Sequence, residues 1–93
     1  MKVSEITPKI VADYVKDSET PLMQSYIDAA ISFIKNYTSL SEDDINEHDD
    51  FYIVVLILCE DMHDNKTLYP DKGNLNKVVE TILDMHRNNL GVW

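Results

Sequence analysis

Glycine and proline are scarce in this chain: Gly73 and Gly91, and Pro8, Pro21 and Pro70, among 93 residues. An all-β fold needs a tight turn at every hairpin, and too few turn-forming residues are present to write one. Cysteine occurs once, at Cys59, so no disulfide can form within the chain and nothing marks an oxidising compartment. Long apolar runs are also missing. The longest is nine residues, Phe51 to Cys59, against the ~20 that a membrane-spanning helix requires. Polar residues recur through the opening MKVSEITPKIVADYVKD, which therefore lacks the apolar stretch of a secretory signal. The expectation is a soluble protein, retained in the cell that makes it, with no membrane partner.

Basic residues are the last shortage. Eight Lys and Arg face seventeen Asp and Glu, a formal net charge of −9. Such a surface repels nucleic-acid phosphates and anionic lipid alike. It is compatible with solubility, with a basic partner, or with a wall past which DNA slides without adhering. The 44% hydrophobic content is that of a folded domain. A chain of this length makes one domain and buries only about 60–70% of its unfolded surface. Partner subunits are a common source of extra stability at that size.

What is present is helical periodicity. Thr7-Pro8 and Thr20-Pro21 both read as helix starts, the hydroxyl capping free N–H groups and the proline sitting where it needs no N–H. A first helix is predicted over about 8–15, with Ile10, Val11, Tyr14 and Val15 on one face. A second is predicted over 21–37, where Met23, Tyr26, Ile27, Ala30, Phe33, Ile34 and Tyr37 form an i, i+3/i+4 ladder of four turns. Residues 38–50, TSLSEDDINEHDD, read as a polar acidic connector with a weak capping box at Ser41 and Asp44. FYIVVLILC could be strand or helix by periodicity. As a strand it would reach ~30 Å with no second strand to pair with. As a helix over 49–63 it is apolar nearly all round, the mark of an element enclosed by others. A turn-rich loop around Pro70 and Gly73 precedes a last helix over 75–88, capped by Asn74 and carrying Leu75, Val78, Val79, Ile82, Leu83 and Met85 or His86 at helical spacing. The predicted fold is all-α: a small four-helix bundle-like domain, residues 1–93, with a central apolar third helix.

Candidate chemistry is thin. Asp43-Asp44, Asp49-Asp50 and Glu60-Asp61 are paired acids, but solvated faces and helix starts give the same letters. Cys59 and His63 are spaced i, i+4, and His86 could join them in a metal site, yet the second Cys/His pair of a structural zinc centre is missing. Cys59 ends an apolar run in an acidic protein, the opposite of the electropositive setting a nucleophilic thiol needs. EDDINEHDD lacks the glycine and ligand alternation of a calcium loop, and no glycine-rich phosphate loop occurs. No catalytic residue, cofactor or metal ligand is predicted, and the chain reads as a non-enzyme. The ladder aromatics read as core, whereas Trp93 is equally suited to its own domain or a partner.

The order of features resembles the small head–tail connector (neck adaptor) proteins of tailed bacteriophages and prophages. The resemblance rests on Ile10-Val11-Ala12-Asp13-Tyr14-Val15, on the stretch YIDAAISFIKNYT from Tyr26 to Thr38, and on the apolar helix ending in Met62-His63-Asp64-Asn65-Lys66. It continues in Asn76-Lys77-Val78-Val79 and in Ile82-Leu83-Asp84-Met85-His86-Arg87-Asn88-Asn89-Leu90, about 80 residues in all. The long acidic connector departs from the short glycine-containing turn of such proteins. The resemblance implies a structural virion protein at the neck, assembled in the host cytoplasm as a homo-oligomeric ring beneath the portal protein. It would extend the DNA channel without reading sequence and receive the next neck or tail-completion protein. It also implies portal contacts in the C-terminal segment, here Arg87, Asn88, Asn89, Leu90 and Trp93. Two other readings draw on the same residues. One is an acidic DNA mimic that blocks a basic host protein, against which the acids concentrate in one connector. The other is a small metalloenzyme using Cys59, His63 and His86.

Overall fold

The computed structural model describes residues 2–70, 73 and 75–86, and among these every regular element is helical. A one-turn 3-10 helix, Val3–Glu5, leads into α1 (Pro8–Val15), α2 (Leu22–Thr38), α3 (Glu42–Asn46), α4 (Asp50–Asn65) and α5 (Lys77–Met85). The all-α bundle-like architecture expected from the sequence is the one observed.

FYIVVLILC lies entirely within α4. Nine consecutive apolar residues wrap round a helix, so the element buries most of its circumference: Phe51, Val54, Val55, Leu56, Leu58, Cys59 and Met62 are all buried. Each large side chain among them contributes about 1.5–3 kcal/mol of burial free energy, and α1, α2, α5 and the 3-10 turn supply the surrounding surface. The ladder of α2 behaves as written. Met23, Tyr26, Ile27, Ala30 and Ile34 are buried, and Phe33 and Tyr37 pack at the margin. The buried Thr38 hydroxyl is fully bonded: its Oγ1 donates to the carbonyl of Ile34 (2.7 Å) and accepts from the N–H of Leu40 (3.3 Å).

The helix starts differ from one another. Thr7 Oγ1 accepts from the N–H of Ile10 (3.3 Å), with Pro8 at the first helical position as expected. Thr20-Pro21 does not repeat this: Pro21 itself is the N-cap, in helical conformation and without a side-chain bond, and α2 begins at Leu22. The acidic connector contains an element of its own. Ser41 caps α3, accepting from the N–H of Asp44 (3.2 Å), and Glu42, Asp43 and Asp44 fill the first turn, where the positive end of the helix favours them. Ile45 gives that short helix its reason to dock, being fully buried. Asn46 Oδ1 accepts from the N–H of Ser4 (3.0 Å), tying α3 to the N-terminal turn. The last helix starts later than predicted, at Lys77, and its cap is Asn76, whose Oδ1 accepts from the N–H of Val78 (2.8 Å). Asn74 and the predicted extension past His86 lie outside the described residues.

With so little glycine, helix ends recruit other residues. Lys16, Ser39 and Lys66 close α1, α2 and α4 in the left-handed region, at φ 60°, 62° and 55°. Their N–H groups bond the carbonyls of Ala12, Lys35 and Met62. The left-handed conformation costs a residue with a Cβ about 1–2 kcal/mol, which the satisfied carbonyls and the docked helices must exceed.

Candidate functional site

The residues singled out for chemistry are dispersed. Cys59 and His63 share α4, but His86 sits at the end of α5 against Asp50, the first residue of α4. At 1.5 Å per residue, Asp50 and His63 are about 20 Å apart along that helix. Cys59, His63 and His86 therefore form no joint site, and the metalloenzyme built on them is ruled out by the packing. Cys59 is fully buried, and loss of hydration pushes its thiol up to about 12. It is a small core residue, as its sequence context suggested.

His63 is held at the opposite end. Its Nε2 lies 3.0 Å from Asp17 Oδ2, and its ring meets Tyr26 edge to face at 5.9 Å. The backbone N–H of Ser18 first, and His63 second, hold the Asp17 carboxyl below its ordinary range. These side chains border a groove of about 520 Å³ that Leu22, Lys66, Thr67 and Leu68 complete. The Thr67 hydroxyl is committed to the carbonyl of Tyr69 (3.1 Å). The groove thus offers a hydrogen-bonded Asp–His pair and exposed apolar side chains, a combination suited to binding. A second cleft, about 440 Å³, lies under the loop at 65–70, between Asp61 and Leu58 of α4 and Leu75. Desolvation, reinforced by Asp64, raises the Asp61 carboxyl. Burial, with Glu60 and Asp61 nearby, raises the Tyr14 hydroxyl.

No known protein family, curated protein or solved structure matches the chain. Its own surface must supply the clues.

Two features carry them. The first is apolar exposure. Leu22 (50% exposed) and Leu68 (54%) share the groove between the α1–α2 turn and the loop after α4, and Tyr69 (68%) follows Leu68 on that loop at the edge of the second cleft. Val78 (53%) and Met85 (70%) stand on α5, seven residues apart and so on one stripe of that helix. Val78 was expected in the core. Val79 and Leu83 face inward, with Leu75 and Ile82 half-buried as the predicted face required, and Val78 lies just outside its edge.

The second feature is a convergence of side chains that the sequence separates. His86 Nε2 donates to Asp50 Oδ2 at 2.8 Å, and the His48 and His86 rings lie 4.4 Å apart. One donor atom from each of His48, Asp50 and His86 falls within 4.8 Å of the others. His48 comes from the three-residue joint between α3 and α4. Sequence reading took His48 as part of a solvated acidic run, because its neighbour His86 is supplied only by tertiary packing. The histidine two residues before Asp50 was the available signal. The proposed partner-contact residues Arg87, Asn88, Asn89, Leu90 and Trp93 lie outside the described residues.

Proposed function

We propose that this chain is a structural connector of a tailed-phage neck, acting by assembly: copies form a ring beneath the portal, around the path of the DNA, and receive the next neck or tail protein. The observation that carries this is the pair of exposed apolar groups on different elements, Leu22/Leu68/Tyr69 and Val78/Met85. A ring is built from heterologous contacts, in which one surface of a subunit meets a different surface of the next. Two unlike apolar patches on one subunit meet that requirement. The −9 charge supports the channel role, since like charge gives passing DNA no resting place. Among the described residues no helix is long and apolar enough to cross a membrane.

The test mixes the purified chain with its cognate portal protein and examines the product by co-migration and negative-stain electron microscopy. Rings seated on the portal are expected. Replacing Tyr69 and Met85 by Ser should abolish them while leaving the circular dichroism of the monomer unchanged. Virions that retain DNA and accept tails equally well without this protein would refute the role. A DNA mimic would instead bind a basic host protein and ignore the portal.

A further inference from the structure

His48, Asp50 and His86 have no part in the assembly proposed above, yet the start of α4 and the end of α5, distant in sequence, bring them together. We infer that they form a binding site for a divalent transition-metal ion, with zinc the best-fitting member. Two imidazole nitrogens and one carboxylate oxygen are borderline ligands, which suit zinc, cobalt or nickel and not the all-oxygen preference of calcium or magnesium.

The geometry is close to what such an ion needs. Zinc bonds of ~2.1 Å in a tetrahedral arrangement place neighbouring donors ~3.4 Å apart. The donors here are already within 4.8 Å of one another. His86 Nε2 and Asp50 Oδ2, now at 2.8 Å, open by roughly 0.6 Å to admit the ion. The imidazole that donates its Nε2–H to Asp50 then carries its proton on Nδ1, leaving Nε2 free to coordinate. Phe51 limits the alternatives: fully buried, its ring packs against His86 at 4.8 Å and His48 at 5.9 Å, restricting how far either can swing. All three ligands are half-buried, so an ion reaches them from solvent and water completes its shell. The net charge of −9 draws cations toward the surface. The two helix termini act oppositely, the start of α4 disfavouring a cation and the end of α5 favouring one, and both effects are small beside coordination.

Bound there, the ion clamps the end of α5 to the start of α4. Isothermal titration of the metal-free chain with zinc should give one site of micromolar or tighter Kd. His48→Gln, Asp50→Asn and His86→Gln should each weaken it at least about 10-fold. Zinc at 100 times its Kd should raise Tm by about 10–20 °C, and magnesium should not. In the unmutated protein, imidazole NMR resonances of His48 and His86 should move together on titration while those of His63 stay fixed, a readout independent of any variant's folding. Absence of zinc binding, shifts centred on His63, or affinity unaffected by the three substitutions would each overturn the site.

Discussion

Cys59 and Asp61 sit two residues apart on α4 and meet opposite environments. The thiol is sealed in the core with its pKa pushed up to about 12 by lost hydration, so at pH 8 its thiolate is depleted roughly a thousandfold relative to a free cysteine. Alkylation by iodoacetamide should therefore be at least about 1000-fold slower in the native protein than in urea, and its rate should follow global unfolding. Asp61 has the reverse problem of a charge kept where hydration is poor and Asp64 repels it. Its folded pKa lies above the ordinary carboxyl value of 3.8, so the native state binds the proton more tightly than the unfolded chain. The resulting destabilisation is present above the raised pKa and disappears as pH falls through it toward 3.8. Asp61→Asn should stabilise the protein at pH 7, by no more than about 0.5 kcal/mol given solvent screening, and leave Tm unchanged near pH 3. Thermal melts at the two pH values test this.

At the scale of elements, the helix ends are the places where composition and conformation conflict. Lys16 is exposed and holds φ 60° because the chain has no glycine there. Lys16→Gly should gain about 0.5 kcal/mol, the relief of the Cβ clash exceeding the entropy glycine adds to the unfolded chain. Lys16→Ala keeps the Cβ and should gain nothing, so comparing the two in urea denaturation isolates the backbone effect. The same elements show what was legible in the sequence. The boundaries of α1 and the inward face of α2 followed from threonine capping and from a ladder long enough to fix its own phase. α4 was readable because nine apolar residues without a pairing strand leave helix as the remaining way to satisfy the backbone. α3 was hidden: five residues are too few to show a period, and it exists because Ile45 has a core to enter. On α5 the inward Val79, Ile82 and Leu83 were legible, but Val78 was not, because the neighbours 78 and 79 are both apolar and only packing decides which of them faces the core. The His48–Asp50–His86 grouping was invisible for a related reason, since 36 residues separate Asp50 from His86 and no local pattern joins them.

For the whole molecule, charge sets the conditions of association. Bringing several subunits of −9 into one ring raises a repulsion that counterions must screen. If the connector role holds, sedimentation should show monomer at about 10 mM salt and larger species near 150 mM, where the Debye length falls from about 30 Å to about 8 Å. A salt-induced loss of oligomer would instead mean that opposite charges, and not the apolar patches, hold the subunits.

The last helix ties assembly to folding. At nine residues α5 is too short to persist alone, so it owes its shape to Val79 and Leu83 beneath it and to the bonds that Tyr37 donates to Asp84 and His86 to Asp50. Its outward residues, Val78 and Met85, belong to the same two and a half turns. A neighbour that grips them splints the helix from outside, and a helix already seated meets that neighbour with its entropy spent. Docking and local order must then strengthen one another by equal amounts.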